Sequence, residues 1–199
     1  MGSLRTRASK ATHVQPRHSQ TAEWVLPDTG TLEGGWSPRA IASSSLHVGG
    51  DVCLTSEVER LLLEVVADGF VLYCCGPRAA PHALVASYLW EDYVDVLTIR
   101  RFDRIITARI PVARYDQVDV FAPEVVVWAY EGSPQPALRA LLDLLPPYHP
   151  HAPTNPYPAP PTLQIPRAEQ RPMTIQLPSP GRTGHRAARL AAMMARRGG

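Results

Sequence analysis

A chain of 199 residues with 45% hydrophobic side chains is long enough for one domain of ordinary size with flanking segments. No window approaches the roughly 18 consecutive apolar residues of a membrane span, and the basic start MGSLRTRASK runs into no apolar stretch, so no secretory signal is read there. The formal net charge of +2 hides an asymmetry: residues 1–50 carry +2, 51–146 carry −6 and 147–199 carry +6, so an acidic globule bears a basic tail.

Residues 1–50 show few periodic apolar patterns and are rich in Gly, Ser, Thr and Pro, which predicts a mostly irregular segment. The apolar islands around Trp24 and Trp36 are candidates to dock on the folded part. Order is expected from Asp51. TSEVERLLLEVVADG (55–69) reads as a helix: Thr55 or Ser56 serves as N-cap, and Glu57 and Glu59 lie in the first turn. Val58, Leu61, Leu62, Val65 and Val66 recur at helical spacing, and Gly69 supplies the stop.

Five strands are expected next, at 70–75, 83–90, 94–100, 104–110 and 124–130, the last very apolar and central. The short connections between successive strands imply antiparallel pairing, since a parallel crossover needs a dozen or more residues. PQPALRALLDLL (134–145) reads as a second helix with Leu138, Leu141, Leu142 and Leu145 as its apolar stripe. The expected fold class is therefore α+β: a five-stranded, mainly antiparallel sheet with an N-terminal and a C-terminal helix on one face, and disordered tails. Of the 21 prolines, 12 fall between Pro146 and Pro180, which predicts an extended segment over 147–181 outside the globular domain of 51–146. Residues 182–199 form a basic tail that can make a short helix. That tail can contact nucleic acid or anionic lipid, lie on its own acidic domain, or keep the chain soluble. Lysine occurs once, at Lys10, so arginine number alone does not argue for nucleic-acid binding.

Among candidate sites, the adjacent Cys74 and Cys75 in FVLYCCGPR come first. Pleating sends them to opposite sides of the sheet, so both cannot serve one metal ion. Their bland role is as small buried apolar residues, with one of the pair expected to label readily. The chemical alternative is a thiol site in which Arg78 favours the Cys75 thiolate and His82 acts as base. No Cys-x-x-Cys and no Gly-rich phosphate loop occurs, and three cysteines make no disulfide framework. No metal or cofactor is therefore expected, and a reducing, cytoplasmic setting is. His149 and His151 sit in a proline-rich loop without a rigid third ligand. Glu91, Asp92, Asp95 and Asp103 cluster at two turns beside Arg100, Arg101 and Arg104, as surface ion pairs do.

Tyr88 and Trp90 alternate on one strand, as do Trp128 and Tyr130 on another, so one sheet face is expected to be aromatic: core if helices cover it, a binding face if open. The reading that follows is a non-enzymatic protein-binding or adaptor module with an unidentified protein partner. It would use that face, with the proline-rich segment as spacer or peptide ligand. The alternative is a nucleic-acid-associated accessory protein whose tail arginines Arg186, Arg189, Arg196 and Arg197 contact phosphates. The domain's −6 charge argues against it.

Overall fold

The computed structural model describes residues 55–77, 81–101, 103–112, 119–176 and 184–197, leaving out the side chains of Met173, Gln176 and Arg197. The expectations for residues 1–50, including the docking of Trp24 and Trp36, lie outside these residues.

Helix α1 (Ser56–Ala67) starts where Thr55 caps it: the Thr55 hydroxyl oxygen accepts from the Val58 amide at 3.3 Å. It ends at Asp68, after which Gly69 takes a positive φ of 96° that an L side chain adopts reluctantly. Four antiparallel strands follow in a meander: β1 (Val71–Cys75), β2 (Ala83–Leu89), β3 (Tyr93–Arg101) and β4 (Arg104–Pro111). The fold is α+β with a mainly antiparallel sheet, as the short connections require.

The sheet has six strands rather than five, in the order β6-β4-β3-β2-β1-β8. Strand β8 (Pro172–Gln176) comes from the proline-rich region and pairs antiparallel with β1. The packed structure therefore continues past residue 146. The single central strand expected over 124–130 is instead two pieces. Strand β5 (Val125–Val126) leaves the sheet to pair with β7 (Tyr157–Pro158), while β6 (Trp128–Gly132) forms the outer edge beside β4. The run EVVVWAY is apolar because Val126 and Val127 are buried where the chain switches layers, not because it lies mid-sheet.

Both faces of the sheet are covered. On one, α1 and α2 (Pro134–Leu142) pack over Leu72, Ala86, Tyr88, Trp90, Leu97, Ile99 and Ile105. A further helix, α4 (His185–Arg197), adds Leu190 to the same core, so part of the basic tail is folded against the domain. The other face lies under irregular chain that contributes Val120, Phe121, Val126, Ala159, Leu163 and Ile165 to an aliphatic layer over Val85, Val94, Val96, Ile106 and Ala108. A 3-10 turn (Pro161–Leu163) and the four-residue helix α3 (Arg167–Gln170) belong to this cover. It closes its own backbone: the Ile165 amide donates to Phe121 O at 2.7 Å and the Ala159 amide to Glu124 O at 2.9 Å.

Candidate functional site

Antiparallel register places one transverse row of side chains on the helix-covered face: Tyr88 opposite Asp95, Asp95 opposite Arg109, Arg109 opposite Trp128. Asp95 and Arg109 are fully buried, so their charges require partners inside the protein. They have them. Arg109 Nε donates to Asp95 Oδ1 at 2.6 Å and Nη2 to Oδ2 at 2.9 Å, a bidentate pair, while Arg109 Nη1 donates to Leu145 O at 2.7 Å. The indole of Trp90 donates to Asp95 Oδ2 at 2.8 Å and lies under the Arg109 guanidinium, 5.8 Å from its ring centroid.

Arg186, on α4, enters from above and is itself fully buried. It reaches Asp68 Oδ2 through Nη1 at 3.1 Å, Asp95 Oδ2 through Nε and Nη2 at 3.2 Å, and Leu141 O through Nη2 at 2.6 Å. Its guanidinium sits 5.3 Å from the Phe70 ring centroid and 6.0 Å from that of Tyr88. Arg189, one turn on, forks onto both oxygens of Asp68 at 2.7 Å and donates to Leu142 O at 2.8 Å. At the end of α2, Leu141 O has the Leu144 amide at 3.3 Å and Leu142 O takes its donor from Arg189, so the arginines complete the acceptors, and meet the negative dipole end, of that helix. Asp68 raises the pKa of Arg189. Burial pushes the Tyr88 phenol up, opposed by a hydrogen bond from the Ala187 backbone and by the Arg186 charge.

The expected binding aromatics divide accordingly. Tyr88 and Trp90 are core beneath the helices, so the aromatic face is not open at their positions. Trp128 is half-buried and Tyr130 is exposed, both on the outer strand β6. Of the tail arginines, Arg186 and Arg189 are engaged with carboxylates. Arg196 is exposed and donates to Ala192 O of its own helix. Arg197 lies in α4, but its side chain is outside the described residues.

The thiol alternative meets buried cysteines. Both Cys74 and Cys75 are buried, where one of the pair was expected to be accessible. They face opposite sides, but both sides are roofed. Burial pushes the Cys75 thiol up to about 12, with Cys74 adding to the effect, which disfavours the thiolate. His82 donates its backbone amide to Cys75 O at 2.8 Å, and Arg78 lies outside the described residues. Gly76, with φ of 92°, is needed there because a Cβ would fall 2.3 Å from the His82 ring. Among the described residues, no group of three or more His, Cys, Asp or Glu could hold a metal ion. No helix there is long and apolar enough to cross a membrane.

Two surface features remain. A polar cleft of about 340 Å³ between α1, α2 and α4 is lined by Arg60, Glu64, Arg139, Asp143 and Arg189. Its arginines already hold carboxylates: Arg60 pairs with Glu57 and Glu64, Arg139 with Glu57, and Arg189 with Asp68. The second feature is the proline-rich stretch, where Tyr148 and Tyr157 are 67% and 41% exposed. It is tied down by buried Ala152, Leu163 and Ile165. Pro160 and Pro166 stand at φ, ψ of −57°, 137° and −55°, 139°, near polyproline geometry.

No protein-family model matches the chain, and no match to it was found among curated proteins or solved structures.

Sequence reasoning names Tyr88, Trp90, Arg186 and Arg189 as candidate contacts but not the buried cluster they form with Asp68, Asp95 and Arg109. In the sequence Asp95 stands among turn carboxylates, and nothing near Arg109 or Asp68 marks them as its neighbours in space. The signal was available in part: Asp95 and Arg109 each stand between apolar neighbours within a strand, Val94 and Val96 for one and Ala108 and Ile110 for the other, where an unpaired buried charge is prohibitive.

Proposed function

We propose that the chain is a non-enzymatic protein-binding or adaptor module that presents its proline-rich segment as a preformed ligand. The observation that carries this reading is the exposure of Tyr148 and Tyr157 on a proline-rich stretch that is anchored rather than loose. Prolines there have little freedom left to lose, so a partner orders few additional torsions on binding. Extended proline-rich chain, as around Tyr157, fits an aromatic-lined groove, the mode used by proline-recognition domains, while Tyr148 stands on a turn earlier in the stretch. The half-buried Trp128 and exposed Tyr130 on the outer strand β6 extend the apolar surface on offer.

The nucleic-acid alternative is less well supported. Two of its four tail arginines already hold Asp68 and Asp95, and the domain they lie on is acidic. Affinity capture from source cells separates the two readings, using the wild-type chain and a Tyr148→Ala/Tyr157→Ala double variant, each with and without nuclease. A protein partner retained after nuclease and lost in the double variant is the expected result. Retention by the double variant that vanishes with nuclease would transfer the assignment to nucleic acid.

A further inference from the structure

We propose that the slot holding Arg186 is a recognition site for an arginine-bearing amphipathic helix, and that α4 is its occupant in cis. The helix it would take in trans carries Arg, Arg and Leu at i, i+3 and i+4, the pattern of Arg186, Arg189 and Leu190. The site is separate from the proline-rich surface and stands or falls independently of it.

Every wall of the slot belongs to the domain rather than to the tail. Asp68 closes α1, Phe70 follows it, Tyr88 and Asp95 come from β2 and β3, and the Leu141 carbonyl ends α2. Together they match a guanidinium in particular. It lies against both rings, and its donors reach two carboxylates and a carbonyl. A lysine ammonium would supply the charge but not the planar fork.

The manner in which α4 is held is that of a ligand. Its backbone touches the domain where Ala187 hydrogen-bonds the Tyr88 phenol, and the side chains of Arg186, Arg189 and Leu190 make the deeper contacts. One face is engaged: Arg186 and Leu190 are fully buried, with Ala187, Arg189 and Met193 partly so, while Ala188, Ala191, Ala192, Ala195 and Arg196 are exposed. A helix laid in a groove by one stripe at this spacing is a familiar peptide-recognition geometry. The domain's other buried charges are also complete without α4, because Arg109, Trp90 and Leu145 O already satisfy one another around Asp95. Without α4, Asp68 and Asp95 face the slot against the single positive charge of Arg109. The site is then net negative and selects a cationic helix.

Tethering gives α4 a high effective concentration, so the wild-type slot is expected to resist competition. The probe is a fluorescein-labelled peptide of residues 184–197, titrated by anisotropy into the full-length wild-type chain and into full-length Arg186→Ala. The peptide should bind Arg186→Ala at least about tenfold more tightly than wild type, and a peptide carrying R186K should lose at least about tenfold. Equal affinity for both chains, or indifference to R186K, overturns the proposal. Should Arg186→Ala fail to fold, a specific protease site inserted within 181–183 of the wild-type chain replaces it. After cleavage, labelled peptide should exchange for α4 while the domain keeps its thermal transition. Unfolding on loss of α4, or no exchange, makes the helix an integral part of the core and overturns the assignment.

Discussion

The two faces of the sheet are equally well covered and chemically opposite. Under the helices, an aromatic layer encloses two aspartates and two arginines with no exposure beyond 1%. Under the irregular cover, the layer is mainly aliphatic, with one Tyr73–Phe121 contact, and the one buried side-chain polar atom without a partner among the described residues, Thr98 Oγ1, belongs to it. The covers explain the difference. A helix that ends over a sheet brings carbonyls short of donors, here Leu142, Leu141 with only the Leu144 amide, and Leu145 just beyond, and these draw buried donors. Arginine provides several donors, and the aspartates neutralise it. The irregular cover satisfies its amides locally, through pairs such as Ile165 with Phe121, and so imposes no such demand. Charge in this core follows from the kind of element laid over it.

Substitutions can break or sharpen that contrast. The largest effect should come from Asp95→Ala, which leaves Arg109 and Arg186 buried beside a missing counter-charge. A loss of about 3–5 kcal/mol is expected in urea denaturation, and a loss below about 1 kcal/mol would show that the cluster is hydrated. On the aliphatic face, Leu163→Ala should cost about 3 kcal/mol through the cavity it leaves, with little dependence on salt. Arg189→Ala comes next. Its side chain is 34% exposed, so solvent screens its pair with Asp68, and about 1 kcal/mol is expected, shrinking as salt is added. Thr98→Val should be neutral or stabilising by up to about 1 kcal/mol, because it removes an orphan hydroxyl while keeping the shape. A clear destabilisation would reveal a hidden polar partner and end the contrast.

The smallest effect under ordinary conditions concerns the thiols. Neither Cys74 nor Cys75 should label in the native protein near neutrality, while both should after denaturation. Because the Cys75 pKa is raised to about 12 from an ordinary value of 9.0, the contribution is fully present below pH 9. It declines as pH rises from there towards 12, where the unfolded chain binds fewer protons than the native one. Stability that is flat from pH 9 to 12 would show that the thiol is not desolvated.

Local patterns in the sequence carried the elements whose partners are near in the chain. The α1 stripe Val58, Leu61, Leu62 and Val65 is buried as its spacing requires, and the β1–β4 meander follows from tight turns between apolar runs. What stayed illegible depends on distant partners. Strand β8, PMTIQ, begins with proline in a proline-rich stretch, and only pairing with β1 makes it a strand. Leu163 and Ile165 are lone apolar residues among prolines, with no period to reveal that they roof a sheet. Asp95 looks like a turn acid until Arg109 and Arg186 are set beside it in space. The basic tail was legible as charge, but charge alone does not say whether an arginine faces solvent or fills a slot.

The pairing of β1 with β8 also bears on how the protein is made. Residues 71–75 leave the ribosome about a hundred residues ahead of 172–176, a delay of roughly 5–20 s at ~5–20 residues per second. Throughout that interval the nascent sheet carries β1 as a bare edge, a template for any other extended chain. Translation that stalls before residue 172 therefore yields a meander with its edge open, and yield in a host cell should follow elongation speed and chaperone supply as much as the stability of the finished fold.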